Sequence, residues 1–143
     1  MKYKNILIVV LLIATCCLVG CSRVTKISGN VKYSDGTPIN FGNVVFDDGK
    51  HSFFCTVKSN GTYITGGVNE VEGIPDGTYK VWLTGTDTIT NAVYENHNGE
   101  KNLVSFESVE RVAEKYRSAE KTDLIFEVKR GGPTTYDVIV EKP

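Results

Sequence analysis

The sequence predicts an all-β fold, a two-layer sandwich of six or seven half-buried strands. Beyond Lys26 the chain is rich in Val, Ile, Thr, Tyr and Phe, residues that fit a pleated, half-buried surface. Apolar residues there alternate with polar ones, the period of a strand with one face buried. Turn signals interrupt these runs at short intervals.

Each element can be justified in order. Ile27, Val31 and Tyr33 share one face, with Lys26, Ser28, Asn30 and Lys32 opposite. Val44 and Phe46 follow as inward positions, then Phe53, Cys55 and Val57. Tyr79, Val81 and Leu83 repeat the pattern, as do Leu124, Phe126 and Val128, and finally Tyr136, Val138 and Val140. Asp35-Gly36-Thr37, Asn60-Gly61-Thr62 and Asp76-Gly77-Thr78 are expected at hairpin corners, because Asn or Asp before Gly supplies positive φ angles. Asp47-Asp48-Gly49 reads as a fourth turn. The aspartates are better explained by turns than by calcium, since no run alternates oxygen ligands as a calcium loop does.

Residues 87–122 are polar and long for a connection in a compact domain. Val109, Val112, Ala113 and Tyr116 fall at helical spacing and predict a short helix or turn over residues 108–116, supported by Glu107 and Arg111 one turn apart. Folded back, this insertion would cover the outward side of the sandwich.

The amino-terminal segment is of another kind. Met1-Lys2-Tyr3-Lys4-Asn5 is a basic head, residues 6–19 form an apolar run, and Gly20 precedes Cys21. This order predicts a secretory signal with a helical apolar core over residues 1–20. A bilayer span needs about twenty apolar residues, and this run is shorter. Residues 21–25 would then be a tether and residues 26–143 the folded domain.

Removing residues 1–20 takes away Lys2 and Lys4 and no acid, leaving 14 basic and 17 acidic side chains, a net charge near −3. That balance argues against nucleic acid as a partner, which would call for a basic stripe. It also gives the folded domain no electrostatic reason to lie on an anionic bilayer. The remaining 123 residues suffice for one domain with its own core.

Chemistry-bearing residues are sparse. With Cys16 and Cys17 in the signal, Cys21 and Cys55 are the cysteines that remain. Two histidines, His51 and His97, without zinc-like Cys/His spacing predict no metal site. No G-x-S-x-G turn is present, and neither histidine has a patterned acid partner, so no enzyme is expected. Trp82 lies between inward Val81 and Leu83 and should point to the opposite face. With Tyr94 it forms the candidate ligand-facing pair, for a sugar or a partner side chain, and Phe54 could contribute on the same side.

Two resemblances extend these expectations. Leu18-Val19-Gly20-Cys21 resembles the lipobox of bacterial lipoproteins, which implies cleavage between Gly20 and Cys21 and a diacylglyceryl group on the Cys21 thiol, leaving Cys55 alone and no internal disulfide expected. Two acyl chains would anchor the chain durably where one would not. Ile27-Ser28-Gly29-Asn30-Val31, Asp35-Gly36-Thr37-Pro38-Ile39, Val44-Val45-Phe46, Asn60-Gly61-Thr62-Tyr63 and residues 74–81, Ile-Pro-Asp-Gly-Thr-Tyr-Lys-Val, resemble the carboxypeptidase regulatory-like domains. That likeness covers residues 26–84. It implies a Greek-key-type, transthyretin-like (immunoglobulin-like) sandwich of seven strands, in a family of mostly non-catalytic modules. Tyr116-Arg117-Ser118 only superficially resembles the Tyr-Arg-Gly-Ser tail of transthyretin-like hydrolases; it lacks the glycine and is internal. The expectation is a bacterial, extracytoplasmic lipoprotein with no cofactor beyond its lipid, held to the membrane by Cys21. Its partner would be a protein or an envelope polysaccharide, and carbohydrate binding through Trp82 is the alternative.

Overall fold

The computed structural model describes residues 24–66 and 73–143. The expected signal helix, with Gly20 and Cys21, falls outside the described residues. The fold is mostly β, as the alternation predicts.

Among the described residues eleven strands follow in order: β1 (Val24–Thr25), β2 (Ser28–Tyr33), β3 (Asn43–Asp47), β4 (Ser52–Thr56), β5 (Thr62–Ile64) and β6 (Ile74–Pro75). Then come β7 (Gly77–Thr84), β8 (Asp87–His97), β9 (Glu100–Glu110), β10 (Ile125–Val128) and β11 (Val138–Val140). One sheet has the order β10-β7-β3-β4, antiparallel throughout. A second has the order β11-β2-β5, with β11 parallel to β2. β1 pairs with β6, so Val24 and Thr25, assigned to the tether from sequence, lie against Pro75 and Ile74.

The sheets share one core. Val44, Phe46, Cys55, Tyr79, Val81, Leu83, Phe126 and Val128 meet Ile27, Val31, Tyr63, Val138 and Val140 in a single buried cluster. Phe46 lies 6.0 Å from Tyr63 and packs edge-on against Tyr79 and Phe126 at 6.3 and 6.2 Å, arrangements that suit the ring quadrupoles. Tyr63 apart, these are the inward positions that the period-2 pattern predicts.

The turns are built by short polar side chains. The Asp35 carboxylate accepts from the Thr37 N–H at 2.9 Å, and the Asn60 side-chain oxygen accepts from Thr62 at 3.1 Å. Asp47 and Asp48 accept from the N–H groups of Gly49, Lys50 and His51. These local bonds are the reason Asp and Asn occupy these corners. Gly36, Gly49 and Gly61 take the positive φ that the reading requires. Gly77 does not: it opens β7 with ordinary φ, and Tyr79 donates its hydroxyl proton to the Pro75 carbonyl at 2.8 Å across this bend. The expected third hairpin corner is therefore a bend between β6 and β7.

The largest correction concerns residues 87–122. No helix spans residues 108–116. Residues 108–110 finish β9, and only Glu114–Tyr116 coil, as one 3₁₀ turn. The helical spacing is coincidental, because its members serve different surfaces. Val112 and Tyr116 are buried in the core, whereas Val109 is exposed on the strand. In place of a loop stands an eleven-plus-eleven-residue hairpin, β8–β9.

Candidate functional site

The hairpin closes on Asn98 and Gly99, both with positive φ (52° and 85°). This is the mirror-image two-residue turn whose twist matches paired strands. Glu100 lies opposite His97, Leu103 opposite Tyr94, and Ser108 opposite Ile89. The register shifts twice: β8 bulges at Asn91 and Ala92, with Asn91 at φ 49°, and β9 carries an extra residue at Val104. Asn91 Nδ2 donates to Glu107 at 2.6 Å, and Ser108 donates to Asp87 at 2.7 Å.

Beyond Thr90 the residues of β8 are all exposed, as are those of β9 up to Val109. The hairpin therefore does not lie down on the sandwich. Among the described residues eleven large apolar side chains are exposed, and seven belong to this hairpin: Ile89, Val93, Tyr94, Leu103, Val104, Phe106 and Val109. Scattered exposed apolar residues are ordinary, but such a concentration on one projecting element marks an interaction surface. The hairpin carries five acids (Asp87, Glu95, Glu100, Glu107, Glu110) against Lys101.

A second apolar patch lies on the outer face of the four-stranded sheet. Val45 pairs with Phe54 on one side and Trp82 on the other, and it is fully buried although it lies outside the main core cluster. Phe54 on edge strand β4 is 62% exposed and meets the Trp82 ring edge-on at 6.5 Å. Trp82 does point outward, as its place between Val81 and Leu83 requires, and is half-buried. Its indole N–H is buried without an acceptor among the described residues. Tyr94 stands on the hairpin, and the ring contact of Trp82 among the described residues is with Phe54. Residues 119–122 follow β7: Lys80 donates to the Ala119 carbonyl at 2.8 Å, and Thr122 donates to the Val81 carbonyl at 2.6 Å.

The remaining candidates are placed simply. Cys55 is buried on β4, and burial pushes its thiol up to about 12, which suppresses the thiolate. His51 lies at the start of β4, 3.4 Å from the Asp48 carboxylate, in the exposed turn. Among the described residues no group of three His, Cys, Asp or Glu side chains is placed to hold a metal. No described helix is long and apolar enough to cross a membrane.

The hairpin is the element that residue patterning missed, and the signal for it was present. Asn98-Gly99 between Thr/Val/Tyr-rich stretches is a strong short-range hairpin mark. Compared with known proteins, the chain matches no family model, no curated sequence and no solved structure.

Proposed function

We propose that this chain is a lipid-anchored, non-catalytic, extracytoplasmic module that holds a protein or envelope polymer through its projecting hairpin. The concentration of exposed apolar side chains on β8–β9 carries the interaction half of this reading. Lys2 and Lys4, the apolar run and Gly20-Cys21 carry the anchoring half. On this reading the four- and three-stranded sheets are the layers of a seven-stranded, Greek-key-type sandwich of the carboxypeptidase regulatory-like kind.

Two measurements test the two halves. Cys21→Ala should abolish incorporation of labelled fatty acid and leave an uncleaved product; continued labelling would overturn the anchor. Leu103→Ser with Phe106→Ser should leave the melting temperature of the sandwich unchanged, since neither side chain is in the core. On native gels of envelope extracts the native chain should run as a larger complex, and the same variant should not. A complex that survives both substitutions would remove the hairpin from its role.

Carbohydrate binding at Trp82 is the second reading, favoured by the exposed Phe54 ring set edge-on to a half-buried indole. Stacking on a sugar should shift or quench Trp82 fluorescence on titration with envelope polysaccharide, and a flat titration would count against it.

A further inference from the structure

We infer that the occupant of the hairpin surface is a second copy of the same chain, paired antiparallel along β9 about Phe106. This rests on reading β8–β9 as an interaction surface, and it names the partner.

A two-stranded ribbon is at best marginally stable in water, and both outer edges of β8–β9 lack a strand partner among the described residues. The open backbone groups of β9 can be located from its two ends. At the base, Arg111 donates its N–H to the Thr86 carbonyl at 3.2 Å, so Arg111, Val109 and Glu107 direct their backbone toward β8. Glu110, Ser108 and Phe106 therefore direct theirs outward. At the tip, the two-residue turn joins His97 to Glu100, so Glu100 and Asn102 face β8 while Lys101 and Leu103 face out. The extra residue at Val104 reconciles the two phases. Open groups thus recur along one edge at Lys101, Leu103, Phe106, Ser108 and Glu110.

That series is self-complementary when reversed. With Phe106 on a two-fold axis opposite the partner's Phe106, Leu103 falls opposite the partner's Ser108 and Lys101 opposite the partner's Glu110. Glu100 then meets the partner's Arg111. Symmetry doubles each contact, giving four opposite-charge pairs around one aromatic pair, with each Glu110 shared between the partner's Lys101 and Arg117 of its own chain, 3.0 Å away. Aromatic and opposite-charge cross-strand pairs are the favourable kinds, and a two-fold axis is the commonest way for a chain to associate with itself. No like charges stand directly opposite in this register, although the ribbon as a whole is acidic. The same acidity disfavours an anionic bilayer as the occupant.

The experiment uses the full chain in a neutral detergent, with mass measured by light scattering across a dilution series. The native chain should have the mass of two chains. Lys101→Glu sets Glu against the partner's Glu110 twice and should weaken dimerisation by roughly tenfold or more. Lys101→Glu combined with Glu110→Lys should restore it, since the pairs are rebuilt with signs exchanged. Melting temperatures of the variants serve as the control for folding. A native chain with the mass of one copy overturns self-pairing. So does a double variant no tighter than Lys101→Glu alone. If the native chain is monomeric yet its hairpin amides gain protection from hydrogen exchange in envelope extract, the interaction reading survives with a foreign partner. If the amides gain none, both readings fall.

Discussion

The Tyr63 hydroxyl donates to the backbone carbonyl of Tyr136 at 2.6 Å, joining β5 to the segment that leads into β11 across the width of the second sheet. Gly29 lies between them on β2. A Cβ there would overlap the Tyr136 carbonyl and press on the Tyr63 ring. The same segment is held by Tyr136 N–H donating to Ser28 at 2.9 Å.

Removing the hydroxyl with Tyr63→Phe should cost about 1 kcal/mol, the net worth of one hydrogen bond. Gly29→Ala should cost more, roughly 2–3 kcal/mol, because backbone and not a flexible side-chain end must move aside. Urea denaturation checks both. Equal costs for the two changes would show that this approach is looser than described.

Cys55 should be inert in the native state. Burial has moved its thiol to about 12, so almost no thiolate is present near neutral pH, and the sulfur lies in the core cluster. Thiol labelling should await denaturant. Rapid reaction of the native protein would mean that β4 presents its other face.

Acid should loosen the seam between β2 and β11. The Asp137 carboxylate accepts from the Asn30 side chain and N–H, each at 3.0 Å, and from Lys32 at 3.1 Å, and these bonds hold its pKa below the ordinary carboxylate value. A depressed folded-state pKa contributes stability above the unfolded value, and that contribution is lost as pH falls through the folded one. Stability should therefore decline below about pH 4. Asp137→Asn should flatten part of that decline, and an identical profile in the variant would refute the assignment.

On the outer face, Trp82→Ala should destabilise by about 2 kcal/mol, since it uncovers Val45 and strips Phe54 of its edge contact. If stability is unchanged while polysaccharide retention is lost, the indole serves a ligand and not the fold.

Much of the core could be read from alternation alone, because a period of two places successive side chains on opposite faces wherever one face is buried. Val44 and Phe46, Tyr79, Val81 and Leu83, and Val138 with Val140 are buried as that rule demands. Val45 escaped it: alternation assigned it to solvent, but Trp82 and Phe54 flank it from neighbouring strands, a non-local fact. The hairpin escaped for another reason. Its two bulges break the alternation that would have revealed its strands, and its exposed apolar residues resemble neither a buried strand nor a polar loop. β2 and β11 of the second sheet were legible as strands but not as partners, since their pairing spans more than a hundred residues.

That last pairing has a kinetic consequence. β2 forms early in the order of synthesis, yet one of its edges is filled by the end of the chain, by residues 134–136 at Ser28 and by Val138–Val140 in parallel. A chain emerging amino end first carries an open edge strand until residues 138–140 arrive. Loop closure of this length is slow, and open edges recruit other strands meanwhile. Folding of the second sheet should therefore be late and all at once, leaving the chain pliable for as long as its final strand is still to come.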